Sequence, residues 1–378
     1  MSPEPQKPRK SDGEFSPVGV YKPRLKRLRS AMTRAEVPAL LVTNSNDVRY
    51  LTPFCGDDSY AIVTGSSLWV LSDARFEVEL GALKGYAQVF MRQGDMLEAL
   101  KQVAGDLALK TLGIQAEHVT LESRARMGKA LRGTKLVETN GLVAALRAVK
   151  DEDEIAFIRR AVSIQEAALK ATLAMIKPGV RELDVAARLE FEMKARGSVK
   201  PAFESIVAFG ANGAKAHAVP GVSKLAKNGT VLIDWGARSG GYCSDMTRTF
   251  TLGKWHPLMA DVYKLVLDAH QAALQAARPG MTGQELDAVA RGVIEKSGYG
   301  PRFGHGLGHG IGLNIHENPR VNRFASEGTL QPGMVVTIEP GIYLPGVGGV
   351  RIEDDVLITK RGGEGLCTLP KSLQWATL

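Results

Sequence analysis

Three cysteines, Cys55, Cys243 and Cys367, are all that the 378 residues contain. They are scattered, with neither CxxC spacing nor disulfide density, which argues against a disulfide-stapled or thiolate-metal fold and fits a reducing compartment. Long hydrophobic runs are also missing. No stretch of about 18 or more apolar residues appears, so no segment is read as a membrane span, and the opening MSPEPQKPRKSDGEF has no apolar core of a secretory signal. A cytoplasmic protein is expected. An excess of one charge is nearly absent once it is located. Of the formal +8, residues 1–30 contribute eight Lys or Arg against three Asp or Glu, which leaves +3 for the remainder. A basic leader of this kind is read as solvated chain, and no specific nucleic-acid partner is expected.

What is present is enough chain for two domains. Residues 1–20 are rich in Pro, Ser and charge without a hydrophobic period, and are expected to be an unstructured leader. From residue 21 the pattern alternates. KPRLKRLRSAMTRA places Leu25, Leu28 and Met32 on helical spacing, and PALLVTN, AIVTG, SLWVLSD and AQVFMR read as strands between turn residues. MLEALKQVAGD and LESRARMGKALRG read as helices among them. Residues 21–146 are therefore expected to form an α/β domain on a mixed sheet.

A dense charge cluster, Arg147-Ala-Val-Lys-Asp-Glu-Asp-Glu, leads into an amphipathic run with Ile155, Ile158, Ala161, Val162 and Ile164, and marks a second domain over 147–378. This domain holds a weak internal repeat. KPGVRELDVAAR at 177–188 matches RPGMTGQELDAVAR at 278–291, with two residues inserted. Each copy closes one helix with Pro-Gly and opens another. Each is also followed at similar distance by two acids in strand-like sequence: Asp234 and Asp245 after the first, Glu339 and Glu353 after the second. Two such halves facing each other would bring four carboxylates to one point.

Acids are depleted in strands, so four of them in VLIDWGARSGGYCSDMTRTF, VVTIEPGIY and GGVRIEDDVLIT require a common cause. The first of these reads as one continuous hairpin turning at Arg238-Ser-Gly-Gly. Adjacent buried carboxylates cannot all remain ionised without compensation. A pair of divalent ions supplies +4 against −4 and leaves coordination positions for water. An imidazole to complete the site is expected from GHGLGHGIGLNIHENPR, where His305, His309 and His316 lie among glycines that permit close backbone approach.

These residues resemble the pita-bread metallopeptidases, which include aminopeptidase P, prolidase and methionine aminopeptidase. The resemblance extends over nearly all of the chain after residue 20, and the segment around Asn46-Asp-Val-Arg-Tyr-Leu-Thr-Pro-Phe is similar to the N-terminal domain of creatinase, prolidase and aminopeptidase P. It implies an α/β (α+β) architecture: a creatinase/prolidase-like mixed-sheet domain, then a pseudo-two-fold catalytic domain. It implies a metal pair held by Asp234, Asp245, His309, Glu339 and Glu353, with Asp245 and Glu353 bridging. It further implies that His316 and His217 contact substrate from opposite walls and that Arg351 orients the site by ion pairing; from the chemistry of the metal pair, Glu339 is expected to move the proton. Many relatives carry Pro directly before the histidine matched by His217, whereas this chain has Ala216.

The expected cofactors are two divalent ions, Mn²⁺ first, with Co²⁺, Zn²⁺ or Fe²⁺ also suited to an oxygen-rich site with one imidazole. The expected substrate is a proline-containing peptide, and a homodimer is implied. Release of the N-terminal residue from Xaa-Pro peptides is favoured. The alternative is a prolidase, in which Arg320 grips the free carboxylate of an Xaa-Pro dipeptide. A non-catalytic binding module and a metal-free creatinase-type hydrolase are both disfavoured by retention of all five ligands.

Overall fold

Tyr21, Leu25, Leu28 and Met32 recur at three- and four-residue spacing, and this stripe is the buried face of the first helix, α1 (Val18–Arg34). The computed structural model describes residues 16–378. Most of the expected leader, residues 1–15, lies outside them. Its last part does not: Val18, Gly19 and Val20 already belong to α1, because the apolar stripe begins at Tyr21, one turn before Leu25. The chain divides into two compact units, the first ending at Arg147 and the second running from Ala148 to Leu378.

The first unit continues through β1 (Ala39–Val42), α2 (Ser45–Leu51), β2 (Tyr60–Thr64), β3 (Leu68–Ser72), α3 (Glu77–Leu80), β4 (Gln88–Met91), α4 (Met96–Asp106), β5 (Thr111–Gln115), α5 (Leu121–Ala130), β6 (Lys135–Thr139) and α6 (Leu142–Ala148). Its six strands form one sheet in the order β4-β3-β2-β1-β5-β6. β1 and β2, and β2 and β3, run antiparallel, while the three remaining pairs are parallel, so the sheet is mixed as expected. The caps are local chemistry. Asn44, Asp95 and Thr120 each accept backbone N–H groups from the first turn of the helix that follows. A core of Leu41, Ile62, Leu71, Leu100, Val103 and Ile114 lies between the sheet and α4.

The second unit opens with α7 (Glu152–Leu173), whose start is fixed by a capping box between Asp151 and Glu154. α8 (Glu182–Ala195), β7 (Ile206–Phe209), β8 (Thr230–Trp235), β9 (Arg238–Ser239), β10 (Tyr242–Cys243) and β11 (Met246–Thr251) complete one half. α9 (Pro257–Ala276), α10 (Gly283–Lys296), β12 (Gly308–Gly310), β13 (Glu317–Val321), β14 (Val335–Ile338), β15 (Gly341–Leu344), β16 (Gly348–Arg351), β17 (Asp354–Thr359) and β18 (Gly362–Gly365) form the other. The first half carries the antiparallel sheet β11-β8-β7, the second the antiparallel sheet β13-β12-β14-β17-β18.

The sequence repeat is a structural one. Gly179 and Gly280 take the same left-handed conformation, φ 88° and 87°, which a side chain would resist. Gly179 N–H donates to Leu225 O and Leu225 N–H returns a bond to Val180 O; Gly280 pairs with Leu330 and Leu330 with Met281 in the same way. Five residues after each leucine a strand begins, and nine residues after each stands an acid, Asp234 or Glu339.

The acids do not interrupt central strands as expected, except for Asp234 within β8. Asp245 lies in a gap between β10 and β11, Glu339 directly follows β14, and Glu353 directly precedes β17. The hairpin is likewise broken into β8–β11 and the small β9–β10 arm. Asp245, Glu339 and Glu353 thus stand just outside the strands that flank them, and only Asp234 is held within one.

Candidate metal centre

Residues on or beside β8, β11, β12, β14 and β17 meet at one place. One ligand atom each from Asp245, His309 and Glu353 lie within 4.8 Å of one another, a grouping that can hold a metal ion. His309 Nε2 is 3.6 Å from Asp245 Oδ2 and equally 3.6 Å from Glu339 Oε1. Asp234 stands opposite His309 in the fold, on the other sheet, and its Oδ2 accepts from Arg351 Nη2 at 2.6 Å. Thus Asp234, Asp245, His309, Glu339, Glu353 and Arg351 share one buried neighbourhood.

The tautomer of His309 follows from its partner. Nδ1 faces Gly310 O at 3.1 Å, and a carbonyl can only accept, so Nδ1 carries the proton and Nε2 keeps its lone pair toward the acids. Burial, followed by the nearby His316, lowers the His309 pKa to about 4, so the ring is neutral at ordinary pH. His305 is held likewise. Its Nδ1 donates to Gly306 O, its Nε2 accepts from Tyr343 OH at 2.9 Å, and that hydroxyl accepts from Arg351 Nη1 at 2.7 Å. Burial, then Arg351, lowers its pKa to about 4.

Two threonines link the ligands. Thr247 Oγ1 accepts from Arg351 Nε at 2.9 Å and donates to Glu353 Oε2 at 2.6 Å. Thr337 Oγ1 accepts from the His309 backbone N–H. The glycines serve close approach: a Cβ on Gly308 would lie 2.1 Å from Thr337 O.

The electrostatics are those of a site built for cations. Burial raises the Asp245 carboxyl well above its usual value, and Glu353 and Asp234 add to the effect. Glu353 is raised by burial, then by Glu339 and Asp234. Glu339 is pushed up to about 8, chiefly by burial, with Arg351 opposing. Asp234 Oδ1 and Asp245 Oδ1 are buried and accept no hydrogen bond among the described residues. Such orphaned acceptors among like charges are costly unless a cation meets them. Carboxylate oxygens with one neutral imidazole are a donor set for divalent ions.

His316 stacks edge-on against His309, ring centres 4.3 Å apart. His217 and Arg320 are exposed, and neither has a side-chain hydrogen bond or ion pair among the described residues. Burial lowers the His316 pKa, and the neighbouring His217 and Arg320 add to the effect. Tyr343, Thr247 and Thr337 went unread in the sequence. Tyr343 and Thr337 lie four residues after and two before Glu339, and Thr247 two after Asp245, which is the one signal that would have found them.

Comparison with known proteins gives these features a family. The model for metallopeptidase family M24 matches residues 156–360, and that for the creatinase/prolidase N-terminal domain matches residues 24–149. A Xaa-Pro dipeptidase of Pyrococcus horikoshii is 34% identical over 360 residues, 94% of this chain and 100% of that protein. An uncharacterized peptidase of Bacillus subtilis, YqhT, is 34% identical over 351 residues, 93% and 99% of the two chains. Among solved structures, a Xaa-Pro dipeptidase from Bacillus anthracis superposes with a TM-score of 0.91 at 35% identity, covering 95% of this chain and 100% of the other. An X-Pro aminopeptidase from Thermotoga maritima does so with 0.83 at 35%, covering 91% and 99%. With a creatinase/prolidase-type domain ahead of a two-half catalytic unit of the pita-bread kind, the chain belongs to metallopeptidase family M24.

Proposed function

We propose that the protein hydrolyses the peptide bond preceding proline, using two divalent ions, Mn²⁺ foremost and Co²⁺, Zn²⁺ or Fe²⁺ as substitutes. The observation that carries this reading is the convergence of Asp245, His309 and Glu353 within 4.8 Å, with Glu339 beside them. Asp234, Asp245, His309, Glu339 and Glu353 would hold the ions, which when bound would supply Lewis acidity and lower the pKa of a water.

The chain's own groups do the remainder. Arg351 fixes Asp234 through Oδ2, while Oδ1 is buried with no hydrogen bond among the described residues. Glu339 accepts the proton of the attacking water and passes it to the leaving nitrogen. His316 steadies the developing charge on the scissile carbonyl oxygen, and His217 holds the substrate from the opposite wall.

Peptide length is the open choice between an aminopeptidase of the P type and a dipeptidase. An exposed guanidinium at Arg320, which lies opposite His309 in the β12–β13 ladder and has no side-chain partner among the described residues, favours the dipeptidase, because it can take the free carboxylate of Xaa-Pro. The same reading assigns the protein to the cytoplasm as a homodimer acting on peptides rather than nucleic acid or membrane. In keeping with this, all three cysteines are free thiols, and no described helix is long and apolar enough to cross a membrane.

The test uses metal-stripped protein, paired Xaa-Pro and Xaa-Pro-Xaa substrates, added Mn²⁺, and an Asp245→Ala control. Metal-dependent cleavage of the dipeptide alone makes the protein a prolidase, and cleavage of the tripeptide an aminopeptidase of the P type. No cleavage of either by metal-loaded protein refutes the proline reading.

A further inference from the structure

We propose that Glu182 is a positioning residue, which holds the loop carrying His217 against the metal centre. Glu182 opens α8, belongs to the first copy of the repeat, and is 1% exposed. Its carboxylate bonds no cation. Instead Oε1 accepts from Phe209 N–H at 2.8 Å and from Asn212 Nδ2 at 2.9 Å, and Oε2 accepts from Gly221 N–H at 3.0 Å. Phe209 and Gly221 are the two ends of the segment that contains His217. One buried carboxylate therefore ties both ends of this excursion to a helix terminus.

The tie is doubled by the backbone and by a side chain. Glu182 N–H donates to Ser223 O and Leu183 N–H to Gly221 O. Asn212 Nδ2 also reaches Ser223 Oγ, which closes the loop on itself. Beyond these anchors the loop meets the centre at Ala216, next to His217: Arg351 Nη1 donates to Ala216 O, while Nη2 of the same guanidinium holds Asp234. His217 itself has no side-chain partner among the described residues, so its place is set by its backbone, and the backbone by Glu182.

The other half of the unit uses the same device with the roles exchanged. Asp287, the acid of the second Glu-Leu-Asp, is buried and accepts from Leu307 N–H at 2.9 Å and from Arg291. Arg291 in turn donates to Phe303 O and His305 O, so this acid fixes the loop leading to His305 and His309. The leftover acids, Asp184 and Glu285, only pair or cap at their helix starts. In each half one acid of the repeat is devoted to a histidine-bearing loop.

The inference rests on the proposed substrate role of His217, so the experiment has one arm that needs no substrate. Hydrogen–deuterium exchange of residues 209–223 is compared between wild type, Glu182→Gln and Asn212→Ala. Gln places an amide where the two ends of the loop need two acceptor oxygens. Asn212→Ala removes one side chain, with its bonds to Glu182, Ser223 and Lys215, leaves the Glu182 carboxylate in place and guards against a Gln variant that fails to fold. Faster exchange confined to this segment is expected in both variants. Misplacement of a substrate-contacting group by about 1 Å costs on the order of 10²-fold, so a fall of about 10- to 100-fold in kcat/KM on Xaa-Pro is expected for Glu182→Gln, with Mn²⁺ affinity retained. A cycle with His217→Ala then separates positioning from general damage: Glu182→Gln should cost little more once His217 is gone. Unchanged exchange in both variants overturns the proposal, as do equal losses in the two His217 backgrounds or a parallel loss of metal affinity. Wild-type protein that cleaves no Xaa-Pro probe refutes the substrate reading instead, and the exchange arm alone then decides the role of Glu182.

Discussion

Replacing Glu339 by Gln should make the metal-free protein more stable, and by an amount that grows with pH. The Glu339 carboxyl has an ordinary value of 4.5 and is pushed up to about 8 in the folded protein, chiefly by burial. Below pH 4.5 it is protonated in both folded and unfolded chains and contributes no difference. Between 4.5 and 8 only the unfolded chain ionises, so the folded state loses about 1.4 kcal/mol per pH unit. At pH 7 the accumulated cost is about 3 kcal/mol, shared among the acids that titrate with it, Asp245 and Glu353 above all. Glu339→Gln preserves shape and removes the titration. Urea unfolding in chelator at pH 5.5, 6.5 and 7.5 should therefore show wild type weakening with pH relative to the variant, with a gap of at most about 3 kcal/mol at neutrality. Saturating Mn²⁺ should reverse the order, because the ion binds the folded wild type with its carboxylates ionised. If the variant is no more stable than wild type at pH 7.5 in chelator, the cluster of mutually destabilised acids is not what the site is.

Other perturbations probe separate parts of the molecule. Buried His270 is lowered to about 4 by burial, so its contribution is intact above 6.5 and lost as pH falls from 6.5 to 4, by up to about 3 kcal/mol; His270→Gln should flatten acid unfolding over that window, read by circular dichroism. Gly308→Ala sets a Cβ 2.1 Å from Thr337 O and should cost about 1–3 kcal/mol while loosening metal binding through His309, measured by thermal melting and titration calorimetry. Arg320→Ala should lower kcat/KM for Xaa-Pro by about 10- to 100-fold through KM and leave Xaa-Pro-Xaa nearly unchanged, the loss of one charge-assisted contact.

The sheet of the first unit could be read because β1 to β4 are short apolar runs set between turns, and α4 coincides with MLEALKQVAGD. β5 and β6 escaped: Thr111–Gln115 and Lys135–Thr139 carry too few consecutive apolar residues, and their strand character comes from pairing with β1 and with each other. In the second unit the four acids drew attention because acids in apolar, β-branched sequence require a cause. The position of Asp245, Glu339 and Glu353 just outside their strands did not, since a residue leaving the pleat and one within it have the same neighbours in sequence. Glu182 was visible as part of a repeat but not as a buried anchor, because its three donors lie 27 to 39 residues away in the chain.

Asp234 and Asp245 come from one half of the catalytic unit, and His309, Glu339 and Glu353 from the other. Ions held by all five, as proposed, would clasp the two repeats together, and parting of the repeats would ease their departure. The lifetime of the bound ions would thus be a clock for that breathing motion. Isotope exchange of Mn²⁺, followed with temperature, would time an opening that catalysis at a rigid cleft never reveals.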